Sequence, residues 1–342
     1  MIEDQQYLRR ALELAELGRG KVSPNPMVGC VIVHDQKIIG EGWHMKFGGP
    51  HAEVNAINDV NDKNLISEST LYVTLEPCSH FGKTPPCADL LIEHKVKRVV
   101  ICNIDINPLV AGKGIKKLKE AGILVDEGLL AEKGQDLNIR FFNSFINKRP
   151  YIILKWAETA DGFIARENFD SKWISNDLSR KLVHKWRSEE DAILIGTNTA
   201  LYDNPQLSVR SWSGKNPVRI VIDRNLRLPI DLHLFDQKIK TLIFNLKKNE
   251  NRENLNWVKI KEEHFLSDLL KYLNDKNIQS VIIEGGSQVL QEFINQNLWD
   301  EARIFKSNIS FNKGIKAPAI EGRLIQMEQI HNDHLFFYEP LN

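Results

Sequence analysis

The sequence predicts an α/β protein with two domains. Short apolar runs rich in β-branched residues alternate with segments of helical periodicity, and 342 residues exceed the size of an ordinary single domain. The polar segment Lys148-Arg149-Pro150 interrupts this alternation and is followed at once by a new apolar run. We therefore expect one domain over residues 1–147 and a second over residues 148–342.

The elements of the first half follow from periodicity. Leu8, Ala11, Leu12 and Ala15 recur at helical spacing, which predicts an amphipathic helix over residues 7–17. Apolar runs separated by turn residues predict strands over residues 27–33, 38–43, 70–75, 98–102 and 123–125. Further helices are predicted from residue 51 and over residues 88–94, 115–121 and 129–146.

The second half repeats the order of strand and helix. Strands are predicted to begin at residue 151 and to cover residues 192–196, 218–223, 241–244 and 280–284. The last strand leads through Gly285-Gly286-Ser287-Gln288 into a helix. Free backbone N–H groups at a helix start bind phosphate, but a tight turn that needs glycine at positive φ explains the paired glycines equally well. The G-x-G-x-x-G fingerprint of a Rossmann domain is absent.

Composition narrows the class of protein. The apolar and charged fractions, 42% and 26%, are those of a globular protein, and the formal net charge is zero. We therefore expect no nucleic-acid partner and no anionic membrane surface. Four cysteines are too few for a disulfide scaffold, and neither a signal peptide nor a membrane-spanning run is recognisable. These features predict a cytoplasmic protein.

The first domain carries a pattern that indicates a metal centre. His51 and Glu53 form an H-x-E pair at a predicted helix start, and Cys78 and Cys87 follow a predicted strand. One imidazole and two thiolates are three ligands for tetrahedral zinc, which leaves the fourth position open to water, as in catalytic sites. Glu53 is then placed to transfer protons, which is the chemistry of hydrolytic deamination. The structural alternative is a helix-start histidine with two buried cysteines.

The order of motifs in the first half resembles the bifunctional riboflavin-biosynthesis deaminase/reductase family. These motifs are Ser23-Pro24-Asn25-Pro26-Met27-Val28-Gly29-Cys30, His51-Ala52-Glu53, Thr74-Leu75-Glu76-Pro77-Cys78-Ser79-His80 and Gly82-Lys83-Thr84-Pro85-Pro86-Cys87. Other zinc deaminases use C-x-x-C, whereas the long loop between the two cysteines is typical of this family. The resemblance implies a cytidine-deaminase-like three-layer α/β/α domain followed by a dihydrofolate-reductase-like α/β domain.

The resemblance also implies the two reactions. The first domain would hold Zn²⁺ with His51, Cys78 and Cys87 and use Glu53 as general base and then acid. It would remove the 2-amino group of 2,5-diamino-6-ribosylamino-4(3H)-pyrimidinone 5′-phosphate, a small-molecule substrate, as ammonia. The second domain would reduce the ribosyl group with NADPH to give 5-amino-6-(5-phosphoribitylamino)uracil.

The resemblance favours Asn25 as a contact to the pyrimidine, although an Asx turn between prolines explains this residue equally well. His44, His80 and Lys83 are either contacts to the substrate or solvated side chains.

Further motifs extend the resemblance into the reductase half. They include Trp173-Ile174-Ser175, Gly196-Thr197-Asn198-Thr199 and Glu284-Gly285-Gly286. The resemblance implies NADPH contacts from Glu158, Trp173, Thr199, Asp203, Arg224, Gly286, Ser287 and Gln288. It implies substrate contacts from Ser171, Arg187, Leu207, Arg210 and Glu284, since arginine suits a phosphate. Glu158 and Arg224 depart from the family pattern, and Arg224 either binds the 2′-phosphate of NADPH or is a solvated surface residue.

Two other interpretations stay open at the level of sequence. A nucleic-acid base deaminase would carry the same zinc ligands, although it would usually show a basic stripe that this neutral chain lacks. Alternatively, the C-terminal domain is an assembly module whose cofactor site has been lost. A homo-oligomer is compatible with the sequence.

Overall fold

The computed structural model describes residues 2–79, 85–108 and 110–341 of the chain. The chain divides into two units, Met1–Asn147 and Lys148–Asn342, each with its own sheet and its own core. Within the described ranges, no helix combines the length and the apolar composition that a membrane span requires.

A five-stranded mixed sheet organises the first unit. Its strand order is β2-β1-β3-β4-β5, in which β1 is antiparallel to both β2 and β3 while β3, β4 and β5 run parallel. In chain order the elements are α1 (Ile2–Glu16), β1 (Gly29–His34), β2 (Lys37–Trp43), α2 (Ala52–Asp59), β3 (Thr70–Leu75), α3 (Cys87–Glu93), β4 (Arg98–Asn103), α4 (Lys113–Glu120), β5 (Leu124–Glu127), α5 (Ala131–Leu137) and α6 (Ile139–Ile146).

Helices cover both faces of this sheet, because successive side chains of a strand point to opposite faces. Ile32 and Val73 pack with the apolar residues of α2, α3 and α4, whereas Val31 and Tyr72 pack with Leu8 and other residues of α1. The α/β/α layering predicted from the resemblance is therefore confirmed. The close packing of β2 against α2 requires glycine at Gly42, because a Cβ atom there would lie 2.2 Å from the backbone nitrogen of Ala56 in α2.

The helix predicted over residues 129–146 is wrong as a single element, because it breaks into α5 and α6 at Asn138. This residue adopts φ −104° and ψ 25°. Its side chain accepts a hydrogen bond from Met27 N and donates one to Met27 O, both at 2.8 Å. An asparagine side chain that binds backbone groups competes with a continuous helix. The same two bonds tether the segment before β1.

A ten-stranded sheet organises the second unit, in the order β11-β12-β10-β9-β8-β13-β6-β14-β17-β16. The strands from β12 to β14 are parallel, and β11, β17 and β16 are antiparallel additions at the edges. The elements are β6 (Tyr151–Glu158), β7 (Phe163–Ala165), α7 (Asp177–Glu189), β8 (Ala192–Gly196), α8 (Thr197–Asp203), β9 (Val218–Ile222), β10 (Thr241–Asn245), β11 (Glu250–Asn251), β12 (Leu255–Lys259), α9 (Phe265–Asp275), β13 (Ser280–Ile283), α10 (Ser287–Asn295), β14 (Glu301–Lys306), β15 (Ile315–Lys316), β16 (Gly322–Ile330) and β17 (Asp333–Pro340).

The parallel arrangement gathers the residues predicted to bind ligands. The carboxyl ends of parallel strands lie along one edge of a sheet, which is where open α/β sheets bind ligands. Glu158 ends β6, Thr199 lies just after β8, Arg224 follows β9, and Glu284 and Gly286 follow β13. These positions come from parts of the chain that are more than 120 residues apart.

Candidate metal centre and reductase site

The three predicted metal ligands converge. His51 caps the start of α2, Cys78 lies three residues beyond β3, and Cys87 is the first residue of α3. Their ligand atoms all lie within 4.8 Å of one another. Nδ1 of His51 is 3.3 Å from Sγ of Cys87 and 3.6 Å from Sγ of Cys78. Zinc bonds of about 2.0–2.3 Å in a tetrahedron place such atoms roughly 3.5–3.8 Å apart, so the donors fit zinc in both type and spacing.

Backbone bonds from α3 hold the Cys78 ligand. The Cys87 amide donates to Sγ of Cys78 at 3.3 Å, and the Ala88 amide donates to the carbonyl of Cys78 at 3.1 Å. Hydrogen bonding to the Cys87 thiol and to His51 lowers the pKa of Cys78, although burial opposes this. A metal ligand must be a thiolate, so a lowered pKa at this position favours metal binding.

Glu53 lies in the first turn of α2 and is 3% exposed. Burial raises the pKa of its carboxyl to about 7, with a further contribution from Cys78, while His51 opposes the increase. A carboxyl that titrates near neutrality accepts and releases protons readily at physiological pH. Glu53 is thus suited to proton transfer beside the metal centre rather than to metal binding.

Asn25 and His44 form a pair next to the predicted ligands. Nδ1 of His44 lies 3.0 Å from the carbonyl of Pro50, which only accepts, so this nitrogen carries the proton. Nε2 then accepts from the Asn25 amide at 3.1 Å. The His44 ring also meets the His51 ring edge-on with centroids 5.5 Å apart. The other two predicted contacts, His80 and Lys83, lie outside the described residues.

A buried charge cluster occupies the second unit. Arg187 from α7 binds the Glu284 carboxylate through Nε at 3.1 Å and Nη2 at 2.7 Å, and Lys155 from β6 approaches it to 4.0 Å. Burial by itself raises the pKa of Glu284, but Arg187 and Lys155 outweigh burial and lower it to about 2. Sequence reasoning did not select Lys155 as a site residue. The available signal was a lysine that directly follows the apolar run Tyr151-Ile152-Ile153-Leu154 within the same strand.

The predicted substrate residues of the loop after α8 adjoin this cluster. The carbonyl of Ser208 accepts from Arg187 at 3.4 Å, and Leu207 beside it is buried. The Arg210 amide donates to Nδ1 of the buried His184 at 3.4 Å. Burial and the nearby arginines lower the pKa of His184 to about 4, so its ring is neutral and able to accept this bond.

Most predicted cofactor residues line the carboxyl edge of the parallel strands. A Cβ atom on Gly286, which has φ +62°, would lie 3.1 Å from Oγ1 of Thr199. The hydroxyl of Ser171 donates to Asp203 at 3.3 Å. Trp173 is 60% exposed. Ser287 and Gln288 begin α10, and Ser287 donates to the carbonyl of Lys316 at 2.9 Å.

The two residues that depart from the family pattern have partners within the protein. Arg224 donates to Glu292 at 2.6 Å and stacks over the ring of Phe265. Glu158 accepts from Nε1 of Trp156 at 2.9 Å and lies 3.7 Å from Lys306. Arg224 is therefore not simply a solvated arginine, and any role in phosphate binding competes with Glu292.

Comparison with known proteins assigns both units. Residues 1–103 match the family described as "Cytidine and deoxycytidylate deaminase zinc-binding region", and residues 150–309 match "RibD C-terminal domain". A "Riboflavin biosynthesis protein RibD" of Aquifex aeolicus is 42% identical over 329 residues, which cover 94% of this chain and 92% of that protein. The chain belongs to the RibD family.

Other RibD proteins agree with this assignment. The RibD of Actinobacillus pleuropneumoniae is 45% identical over 84% of this chain and 78% of its own length. The crystal structure of a diaminohydroxyphosphoribosylaminopyrimidine deaminase/5-amino-6-(5-phosphoribosylamino)uracil reductase from Thermotoga maritima superposes with a TM-score of 0.91, 38% identity and 99% coverage of both chains. RibD of Acinetobacter baumannii also superposes with a TM-score of 0.91, at 34% identity and 99% coverage of both chains.

Membership of the RibD family confirms the predicted fold class and the predicted type of enzyme. The chain is a bifunctional riboflavin-biosynthesis enzyme that acts on a small pyrimidine substrate, with a zinc-dependent, cytidine-deaminase-like domain and an NADPH-dependent, dihydrofolate-reductase-like domain.

Proposed function

We propose that residues 1–147 deaminate 2,5-diamino-6-ribosylamino-4(3H)-pyrimidinone 5′-phosphate and that residues 148–342 then reduce its ribosyl group with NADPH. The observation that carries the first assignment is the convergence of His51, Cys78 and Cys87 within 4.8 Å beside the buried Glu53. When bound there, zinc supplies an activated water molecule. The substrate follows from the similarity to RibD proteins over nearly the whole chain.

Glu53 is the group we assign to proton transfer in the deamination. Its carboxylate first takes a proton from the attacking water, and its carboxylic acid then gives a proton to the departing amine. The carbon–nitrogen bond breaks and ammonia leaves. A pKa of about 7 supports this assignment, since both protonation states are then accessible near neutral pH.

We assign recognition of the pyrimidine to Asn25. Because the amide group of this side chain donates to His44, its carbonyl oxygen is left to accept from an N–H group of the substrate. The hydrogen bond to His44 therefore fixes which atom of the Asn25 amide is presented to the substrate. This assignment favours a ring that presents a donor, as an aminopyrimidinone does.

In the reductase domain, we assign the substrate to Ser171, Arg187, Leu207, Arg210 and Glu284. Lys155, Arg187 and Arg210 supply three positive charges around the single carboxylate of Glu284, and this excess suits a phosphate monoester. NADPH supplies the hydride, so the protein's own contribution is to hold the sugar in a reactive orientation. We assign assistance in the opening of the sugar ring to Glu284 or Asp203.

We assign NADPH to Glu158, Trp173, Thr199, Asp203, Arg224, Gly286, Ser287 and Gln288. The position of Gly286 supports this, because it directly precedes α10 and lies so close to Thr199 that a Cβ atom would be only 3.1 Å from Oγ1 of Thr199. Backbone N–H groups at such a helix start bind phosphate.

For partners and location, we propose a cytoplasmic enzyme with no nucleic-acid or membrane partner, and a homo-oligomer in solution. Zero net charge supports the absence of a polyanionic partner. The edge strand β16 exposes Leu324, Ile325 and Met327, which supports self-association through apolar contact. Light scattering of the purified chain tests this: a monomer at micromolar concentration contradicts it.

The decisive experiment follows both reactions in the purified, zinc-loaded chain. Ammonia release is measured with and without NADPH, and NADPH oxidation is measured alongside. We expect ammonia in both cases and NADPH consumption in step with the ribityl product. A Glu53→Gln variant is the matched control, since it should release ammonia about 10²–10⁴-fold more slowly and should still reduce the deaminated substrate. Absence of both signals in the wild-type chain refutes the proposed function.

A further inference from the structure

A buried carboxylate lies two residues before the Cys78 ligand. Glu76 directly follows β3 and is 4% exposed. Its Oε2 accepts from the amides of Asp105 at 3.2 Å and Gly112 at 2.9 Å. Its Oε1 accepts from the amides of Gly114 at 2.9 Å and Ile115 at 3.2 Å. Within the described residues no Lys or Arg forms an ion pair with Glu76, so backbone N–H groups are what compensates its burial.

These four bonds draw the segment after β4 and the start of α4 onto the end of β3. The backbone of Glu76 adds a fifth bond, from its amide to the carbonyl of Asn103 at 2.9 Å. The next residue is in direct contact with α4, because a Cβ atom on Gly114 would lie only 2.1 Å from the carbonyl oxygen of Pro77. The Pro77–Cys78 peptide is therefore supported by α4 on one side.

The other side of the same turn is held by α3. The amides of Cys87 and Ala88 donate to the sulfur and the carbonyl of Cys78. An ion pair between Lys117 of α4 and Asp89 of α3 links the two helices. The Cys78 ligand thus sits between two helix starts, one fixed by the cysteines themselves and the other fixed by Glu76.

We infer that Glu76 is a positioning residue for the metal centre: its carboxylate locks the start of α4 against Pro77 and so holds the Cys78 sulfur where it ligates zinc. The four N–H donors are satisfied only when both terminal side-chain atoms of residue 76 are acceptors, as the two oxygens of a carboxylate are. A glutamine presents an NH₂ group to two of them, and an aspartate is one methylene too short to reach. Neither conservative replacement restores the arrangement. This inference rests on the zinc site proposed above.

The test measures zinc affinity in the full-length chain by competition with a chromogenic chelator. We expect Glu76→Gln to weaken zinc binding by about 10-fold or more, as removal of groups that orient ligands does. We expect cobalt-substituted protein to show altered thiolate-to-metal absorption. Gly114→Ala places a methyl group of α4 against the carbonyl oxygen of Pro77. It should therefore also weaken zinc binding, although alanine is the better helix former. The Tm of the first unit reports whether the unit that carries each substitution is folded, and NADPH binding reports the same for the second unit.

Leu14→Ala is the matched control for a purely structural effect. Leu14 is buried on the opposite face of the same sheet, so its truncation lowers Tm without touching the turn. If Glu76→Gln and Gly114→Ala lower Tm as Leu14→Ala does while zinc affinity stays within 2-fold of wild type, the inference is overturned. If the wild-type chain itself binds no zinc, the proposed function fails instead.

Discussion

The buried ion pair between Arg187 and Glu284 allows a quantitative prediction for the reductase unit. The side chains are 11% and 9% exposed, and the contact is bidentate. Arg187→Met removes the guanidinium and leaves the carboxylate with Lys155 at 4.0 Å as its nearest remaining charge. Since a buried charge without its partner is strongly destabilising, breaking this pair should lower the free energy of unfolding more than breaking an exposed ion pair.

The magnitude follows from the pKa of Glu284, which falls from 4.5 to about 2. One pKa unit corresponds to about 1.4 kcal/mol, so the ionised form is favoured by about 3 kcal/mol. A loss of this size lowers Tm by roughly 6–12 °C in a unit of this length. We expect Glu284→Gln and Arg187→Met each to lower the free energy of unfolding by about 3 kcal/mol at pH 7. A double-mutant cycle should give a coupling of about 2–3 kcal/mol between the two residues.

The assay is calorimetric unfolding of wild type, the two single variants and the double variant. An exposed pair in the same unit, Lys271–Asp275 of α9, is the matched control. Its side chains are 71% and 60% exposed, so Lys271→Met should leave the Tm of the second unit nearly unchanged.

The effect of pH has a definite sign. The folded pKa of Glu284 lies below the unfolded value, so its stabilisation is present above about pH 4.5 and is lost as the pH falls toward 2. The difference between wild type and Glu284→Gln should therefore shrink by about 1 kcal/mol at pH 3.5. A coupling below about 0.5 kcal/mol at pH 7, or a difference that grows on acidification, would refute the reasoning.

Three further predictions concern catalysis, metal binding and pH. Glu53→Gln should lower ammonia release by about 10²–10⁴-fold and leave reduction of the deaminated substrate unchanged; equal losses in both reactions contradict the assignment. Cys87→Ser should abolish retention of zinc during gel filtration against a chelator, as measured by atomic absorption, while NADPH binding persists. His184 has a folded pKa of about 4 against 6.5, so the unfolded state binds the extra proton and stability rises with pH across that window. His184→Gln should flatten this rise in Tm of the second unit, and an unchanged slope argues against a buried neutral ring.

Local sequence patterns predicted the central strands well. The runs at residues 70–75 and 192–196 coincide with β3 and β8, because short β-branched runs between turn residues have few other stable conformations. Longer-range competition explains the errors. Asn138 breaks the predicted helix because its side chain forms hydrogen bonds with the backbone of Met27, which is 111 residues away in the sequence. The hairpin β16–β17 escaped prediction because β16 is mostly exposed and lacks clean alternation.

The metal centre was predictable to a degree that the reductase site was not. His51, Glu53, Cys78 and Cys87 belong to short motifs whose chemistry is readable from residue type and order. Lys155 was not selected as a site residue because its importance depends on Glu284 and Arg187, which lie outside β6. Charge clusters assembled from distant strands leave little trace in local sequence.

By itself, the sequence determined the α/β class and the resemblance that names the reactions, and it predicted three zinc ligands with a neighbouring acid, because ligand chemistry and strand periodicity are local properties. Only the tertiary structure decided how the ligands are supported and which charges meet. Glu76 reaches amides 29 to 39 residues away, Arg187 finds Glu284 across 97 residues, and Arg224 is drawn to Glu292. Hydrogen bonds and ion pairs of this kind depend on distance in space, which cannot be read from the order of residues along the chain.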